Sequence, residues 1–355
     1  MKLNFKNDYN TIGDYKILNA LLELRDEKNI GYGEDYHTIK LNELVNKIIN
    51  KNADSYVLAG GTVTNIVALN QILKYPYEAV ITGENSHINV HETGALEATG
   101  HKIILTPLKD GKIDIDKIEA TYNLYRDNHM VMPKALYLSN ANELGITYTL
   151  DELKKISKLC KKLDLYFFID GARLPIALAA EGYSLKDIAN VCDMFYVGGT
   201  KNGLPYGELL IIVNDELKTN FKYLLKNKLG MLAKGFIGAI MFKAYLENDY
   251  YLELANKALV HANKIREEFD KYIVYRNNTN QIYLKLDKDK VKELEKCVDF
   301  EIWEENNDYE VIRLVTSFAT KAEEVNNLVE VFKKLELIWG GIWRNLNIQI
   351  LVIQI

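Results

Sequence analysis

The sequence predicts an α/β fold: a large domain built on a mainly parallel sheet, followed by a smaller α+β C-terminal domain. Two observations carry this. Short β-prone runs alternate with helical or loop segments through the first two thirds of the chain, and that pattern changes after about Tyr245. A length of 355 residues also exceeds the size at which single cores usually stop growing, which favours a second domain.

In chain order, residues 1–30 are expected to form an N-terminal arm and residues 31–245 the large domain. Leu41, Leu44, Val45, Ile48 and Ile49 fall at helical spacing and mark an amphipathic helix from about Ile39 to Ile49. Strands are predicted at Ser55–Leu58, Glu78–Thr82, Lys102–Leu105, Ala135–Leu138, Tyr166–Asp170, Met194–Val197 and Leu209–Val213. Between the fourth and fifth, Thr149-Leu150-Asp151-Glu152 reads as a capping box, and Leu153, Ile156, Leu159, Cys160 and Leu163 form the buried stripe of its helix. The small domain, 246–336, opens with a long helix carrying Leu252, Ala255, Leu259, Ala262 and Ile265. Strands near Gln281–Leu286 and Tyr309–Thr316 follow, and Thr320 to Glu323 repeats the capping-box pattern ahead of a helix reaching about Leu335. Residues 337–355 depart from this design. They hold Trp339, Trp343 and the run Ile350-Leu351-Val352-Ile353, too short to span a bilayer and read as an added strand or a loosely attached tail.

Composition narrows the function. A hydrophobic content of 48% with 26% charged residues is that of an ordinary globular protein. The net charge of -5 comes from 49 acidic and 44 basic residues mixed along the chain, so no broad cationic face for nucleic acid is expected. No interior run is long enough to cross a membrane, and the first residues lack a signal peptide's apolar stretch, so a cytoplasmic enzyme of small-molecule chemistry is expected. Cys160, Cys192 and Cys297 lie at no metal-binding or redox spacing and read as packing residues.

Two strands end in residues that carry chemistry. Tyr166-Phe167-Phe168-Ile169 runs into Asp170-Gly171-Ala172-Arg173, and Met194-Phe195-Tyr196-Val197 into Gly198-Gly199-Thr200-Lys201-Asn202-Gly203. In open α/β sheets, ligands bind at the carboxyl ends of the strands. A carboxylate there could serve a metal, but no further His and Asp ligands accompany it at usable spacing, so no metal is expected. Pyridoxal 5′-phosphate (PLP) explains the pair more economically. It needs an amine that forms an imine, which Lys201 supplies, and a carboxylate that keeps its ring nitrogen protonated, which Asp170 supplies 31 residues earlier. A lysine alone after a strand is usually a surface residue, and an aspartate alone is as often a cap or turn residue. The glycines around Lys201 shift the balance, since a tight glycine turn lets a cofactor approach the backbone.

Two weaker signals accompany this pair. Ala59-Gly60-Gly61-Thr62 turns a strand into a helix, where exposed N–H groups and the helix dipole can bind phosphate, although many such turns serve only packing. Glu84-Asn85-Ser86-His87 follows another strand and could lay His87 on the face of the cofactor ring to shuttle protons, although a lone loop histidine is commonly a surface residue.

These elements occur in an order that resembles the threonine aldolase and aromatic amino acid β-eliminating lyase family, within the fold type I (aspartate aminotransferase-like) PLP enzymes. The resemblance runs from about Asn7 to Leu335 through Tyr32-Gly33-Glu34-Asp35, Gly60-Gly61-Thr62, Ser86-His87, Asp170-Gly171-Ala172-Arg173, Gly199-Thr200-Lys201-Asn202-Gly203 and Ile312-Arg313-Leu314-Val315-Thr316-Ser317. It implies that Lys201 forms the Schiff base, with Thr200 beside it among the cofactor-binding residues. Asp170 would pair with the pyridinium nitrogen, His87 would stack on the ring, and Gly60, Gly61 and Thr62 would hold the phosphate. Arg173 and Arg313 would bind the substrate carboxylate or the cofactor's phenolic oxygen, where a bidentate guanidinium fits well. It further implies cleavage of a β-hydroxy-α-amino acid such as threonine or allo-threonine to glycine and an aldehyde, by a homodimer or homotetramer. The competing expectations are β-elimination or transamination of another amino acid, and below them a non-catalytic scaffold of the same fold. One departure matters: the family commonly carries an Asn-Thr-His segment whose histidine reaches the substrate hydroxyl, and here the matching stretch is Ser139-Asn140-Ala141-Asn142-Glu143. Asn142 then counts as a substrate-binding residue but cannot act as a base. That leaves His87 or Glu92, directly or through water, or a substrate other than threonine.

Overall fold

The β-prone runs assemble into one seven-stranded sheet in a computed structural model that describes residues 2–339. Its strands are β1 (Asp54–Leu58), β2 (Glu78–Gly83), β3 (Lys102–Thr106), β4 (Met132–Ser139), β5 (Tyr166–Asp170), β6 (Met194–Gly198) and β7 (Glu208–Ile212), in spatial order β1-β7-β6-β5-β4-β2-β3. The pairs β2–β3, β2–β4, β4–β5 and β5–β6 are parallel, while β7 runs antiparallel to both β6 and β1. Successive side chains point to opposite faces of a strand. Here both faces are buried: Ile81, Leu136, Phe167, Ile169, Phe195 and Val197 join one core cluster, and Val80, Tyr137, Phe168, Met194 and Tyr196 the other. A doubly covered sheet explains why these strands read as nearly continuous apolar runs instead of alternating ones.

The strand order decides where a ligand can sit. From β2 the chain steps outward to the edge strand β3 and then returns to β4 on the other side of β2, so the winding reverses between β2 and β4. The crevice at the carboxyl ends of the strands flanking such a reversal is where open α/β sheets bind ligands. The segments leaving β2, β4, β5 and β6 carry His87, Glu143, Asp170 and Lys201.

Local sequence sets the flanking helices. Helix α1 (Tyr36–Ile49) begins earlier than its apolar spacing suggests, because the Asp35 side chain accepts the Thr38 N–H at 2.8 Å. Helix α2 (Gly61–Ile72) follows β1 and has no side-chain cap. Helix α3 (Leu150–Leu163) forms the expected capping box: Thr149 Oγ1 accepts the Glu152 N–H at 3.3 Å, and Glu152 accepts the Thr149 N–H at 2.8 Å.

A second, three-stranded antiparallel sheet is ordered β8-β10-β9, from β8 (Gln281–Asp287), β9 (Glu301–Glu305) and β10 (Tyr309–Val315). Helices α4 (Tyr250–Glu268) and α5 (Ala322–Trp339) cover it, and Ile265, Ile282, Leu284, Ile312, Leu314, Leu328 and Phe332 share its core. Residues 3–5 of the arm join this second unit: Leu3 and Asn4 pair with Val298 and Asp299, and Phe5 is buried in its cluster. The capping box expected at Thr320 does not form. Thr320 Oγ1 accepts the Ser317 N–H instead, and the side chain of Glu324 accepts the Lys321 N–H, so α5 starts one residue later. That helix runs past Leu335 to Trp339, and residues 340–355 of the apolar tail lie outside the described residues. No helix among the described residues is long and apolar enough to cross a membrane.

Candidate active site

Asp170 ends β5 and is 3% exposed. One oxygen accepts the Tyr196 hydroxyl at 2.5 Å and the Ala172 N–H at 3.0 Å; the other accepts the Tyr137 hydroxyl at 2.6 Å and the Asn65 amide at 3.0 Å. Burial pushes its pKa up, but the positive field of His87 and the hydrogen bonds from Tyr137, Tyr196 and the Ala172 N–H outweigh it and leave the group below the ordinary carboxylate range. Asp170 is therefore a fixed buried anion. Its donors come from β4, β6 and α2, so the sheet itself builds the site.

Lys201 leaves the end of the adjacent strand β6, within a loop held by backbone bonds from Gly199 and Thr200 to the Gly207 carbonyl. Thr200 Oγ1 accepts the Gly207 N–H at 3.0 Å and closes this loop. Gly198 is required by packing: a Cβ there would come within 2.1 Å of the Ala172 carbonyl oxygen. The close approach it permits is thus between protein backbones. No carboxylate lies within ion-pair distance of the Lys201 amine among the described residues. Burial lowers its pKa, assisted by Arg173 and opposed by Asp8, Asp170 and Glu208. A lysine with a depressed pKa has a larger neutral, nucleophilic fraction. Behind it on β7, Glu208 accepts the Gly199 N–H at 3.1 Å, and burial pushes this carboxyl up to about 8.

His87 opens a single helical turn after β2. Its Nδ1 meets Glu92 Oε1 at 2.8 Å, and its backbone N–H donates to Glu143 Oε1 at 2.8 Å. Burial lowers the imidazole's pKa, but the Glu92 hydrogen bond and the Asp170 charge more than compensate, so it lies above the ordinary histidine value. Glu92 is buried behind the ring, where the same oxygen also accepts the Asn65 amide at 2.7 Å. Glu92 accordingly orients His87 and does not line the cavity.

Arg173 and Arg313 line the same cavity of about 240 Å³ as Lys201, Asp170, His87 and Asn142. Arg173 is held by both oxygens of Asp8 at 2.7 and 3.0 Å, a buried bidentate pair that fastens the N-terminal arm to the site. Arg313, on β10, pairs with Glu301 at 2.5 Å and with Gln281 at 3.3 Å, lies 4.9 Å from the Trp303 ring, and keeps a buried Nε without a partner among the described residues. Asn142 spends its side chain on its own loop, accepting the Leu144 and Ile146 N–H groups and donating to the Gly111 carbonyl, so it forms wall. Gly60, Gly61 and Thr62 sit at the N-terminus of α2, outside the cavity lining but one turn from Asn65, whose amide reaches Asp170. A larger cavity of about 440 Å³, near α1 and β1, takes in Tyr32 and Gly33 but none of the expected site residues. Among the described residues no group of three or more His, Cys, Asp or Glu could hold a metal ion.

The sequence reading missed Asp8, Glu143, Glu301 and Trp303 in the cavity region, and Tyr137 and Tyr196 beneath Asp170. The two tyrosines alternate with apolar residues inside strands and read as core. Only their spacing from the strand ends could have flagged them.

A model of the beta-eliminating lyase family matches residues 7–289. The chain belongs to that family. It is 31% identical over 249 residues to the low specificity L-threonine aldolase of Pseudomonas aeruginosa, covering 67% of this chain and 70% of that one. It superposes on the threonine aldolase structure from Leishmania major with a TM-score of 0.91 at 37% identity, covering 94% of this chain and 99% of the other. Serine palmitoyltransferase of Sphingomonas wittichii, at 10% identity with a TM-score of 0.72 over 94% of this chain and 86% of its own, shares the fold alone. The chain is an enzyme of the lyase class with the architecture of the fold type I PLP enzymes.

Proposed function

We propose that this enzyme cleaves the Cα–Cβ bond of a β-hydroxy-α-amino acid, threonine or allo-threonine, to give glycine and an aldehyde. One observation carries the reading: an amine without an ion pair, Lys201, and a buried anion, Asp170, line one cavity beneath a guanidinium, Arg313. The threonine aldolases among its relatives supply the bond that is broken.

The residues present fit PLP. Asp170 would face the ring nitrogen as an anion that its four donors keep ionised. Lys201 has a free amine for the carbonyl carbon, and the uncapped N-terminus of α2, with Gly60, Gly61 and Thr62, offers N–H groups for the phosphate. Bound there, PLP supplies an electron sink for the pair left on Cα. His87, oriented by Glu92, would lie against the cofactor ring. Arg313, which lines the cavity, would take the substrate carboxylate, and holding that carboxylate decides which Cα bond is aligned for cleavage. Arg173, already committed to Asp8, sets the wall against which the substrate is held. The same reading makes the enzyme cytoplasmic, which cell fractionation tests, and a homodimer or homotetramer, which light scattering on the purified protein tests.

Incubation with PLP and L-threonine or L-allo-threonine, followed by assay of glycine, aldehyde, pyruvate and ammonia, tests the chemistry. Aldehyde and glycine in equal amounts without pyruvate are expected. Pyruvate or another keto acid with ammonia would mean β-elimination, and conversion to the pyridoxamine form with a keto-acid acceptor would mean transamination.

A further inference from the structure

Cleavage of that bond requires an acceptor for the β-hydroxyl proton, and the residues considered so far do not supply one. Asn142 has no basic atom and Glu92 lies behind His87. His87 commits its Nδ1 to Glu92 at 2.8 Å, and that contact holds the ring in the role of a stacking group. We infer that Glu143 is the carboxylate that accepts the β-hydroxyl proton. This rests on the lyase reading above and names the catalytic base within it.

The geometry singles out one oxygen of this side chain. Glu143 Oε1 accepts the Ser139 hydroxyl and the His87 N–H, each at 2.8 Å. Oε2 makes no hydrogen bond among the described residues, and the side chain lines the cavity with Lys201, Asp170 and Arg313. Its backbone is fixed as well: the Tyr283 hydroxyl donates to the Glu143 carbonyl at 2.6 Å, and Asn142 ties the next three residues into the same loop. A carboxylate anchored through one oxygen, with the other unbonded on a residue that lines the cavity, is arranged as a general base. A surface glutamate has no such anchoring. Burial raises its pKa, and the Asp170 charge adds to this, while Ser139, the backbone and His87 lower it; the balance is upward, which strengthens the base. The other titratable groups around it are Lys201, Arg173, Arg313, His91, Glu301, Tyr9, Tyr137, Tyr148 and Tyr283.

The step balances. The substrate O–H bond breaks and its proton goes to Glu143 Oε2, while the O–H electron pair becomes the second bond of the aldehyde carbonyl. The Cα–Cβ bond breaks with its pair left at Cα, where the PLP electron sink holds it. A proton from solvent then goes onto Cα and Glu143 returns its proton to solvent, so glycine and the aldehyde together contain the atoms of the substrate.

The test compares Glu143→Gln with the wild-type holoenzyme. Cleavage of threonine should fall by about 10²- to 10⁴-fold in kcat, the usual contribution of a positioned base. Exchange of a glycine Cα hydrogen in D2O, which involves no β-hydroxyl, should change by less than about threefold. In the apo protein, the infrared carboxyl band lost in E143Q should titrate above the ordinary glutamate range, and Ser139→Ala should move that midpoint and the acid limb of kcat to higher pH. His91 lines the same cavity, and His91→Asn should lower kcat far less than E143Q does. E143Q cleaving threonine at the wild-type rate, or His91→Asn producing the large loss, would overturn the inference. If circular dichroism shows E143Q misfolded, Ser139→Ala decides: a raised acid limb supports the assignment and an unmoved one overturns it. Wild-type enzyme that releases no glycine and aldehyde sinks the lyase reading itself, a separate outcome.

Discussion

Asp170 and Lys201 leave the ends of neighbouring strands, and the fold provides for them in opposite ways. The carboxylate receives four hydrogen bonds, three from surrounding elements and one from its own turn, whereas the amine has no ion-pair partner among the described residues. The difference teaches which charge must persist through the reaction. An anion that holds the ring nitrogen's proton must never be neutralised, so it is surrounded by donors that favour its charged form. An amine that must lose its proton to become a nucleophile is better left desolvated and unpaired. The contrast is repeated a layer further out: Asp8 is doubly bonded to the Arg173 guanidinium, while Glu208 has no guanidinium partner and burial pushes its carboxyl up to about 8.

The largest effect should come from the unprovided side. Lys201→Ala removes the proposed nucleophile and should lower threonine cleavage by about 10³-fold or more while leaving the melting temperature nearly unchanged, since no native bond is lost. An active K201A protein would break the comparison. Asp170→Asn keeps the shape but removes the persistent charge, and kcat should fall by about 10²- to 10³-fold with the cofactor still bound, read from turnover together with visible absorption.

The outer pair sharpens the same contrast through stability. Asp8→Ala leaves Arg173 buried and uncompensated, and urea denaturation should show a loss of about 3–5 kcal/mol. Burial raises the Asp8 pKa, but Arg173 prevails and holds it below its ordinary value of 3.8. Its contribution is therefore fully present above that value and is lost as the pH falls through the lower folded value, a loss that D8A should no longer show. Glu208 has the opposite sign. Its folded pKa of about 8 exceeds the ordinary glutamate value of 4.5, so the folded state holds a proton that the unfolded state releases. Wild-type stability should decline as pH rises from about 4.5 to about 8, and Glu208→Gln should flatten that slope, the smallest of these effects.

Much of this arrangement was legible in the sequence. The seven strands of the large sheet and the positions of Asp170 and Lys201 follow from apolar runs that end abruptly in charge and glycine, because a doubly buried parallel sheet writes its strands that way. Strand β9 was not legible: Glu301-Ile302-Trp303-Glu304-Glu305 has too many charges for a core strand, and lies at a sheet edge where such charges are tolerated. Asp8 was hidden for another reason, since its value depends on a guanidinium 165 residues away. Asn142 was visible as a departure, yet its consequence lay one residue on, at Glu143, whose free oxygen is a property of the folded loop. Local pattern reveals elements, but only the assembled sheet brings distant donors and acceptors together.

The central claim is that Lys201 and Asp170 grip one cofactor. Loading the protein with PLP, reducing it with borohydride and mapping the peptides by mass tests this most directly. The account predicts a single phosphopyridoxyl adduct on Lys201, retained in Asp170→Asn but with the unreduced holoenzyme's absorption band shifted. An adduct on another lysine, or the same spectrum with and without the Asp170 charge, would contradict it.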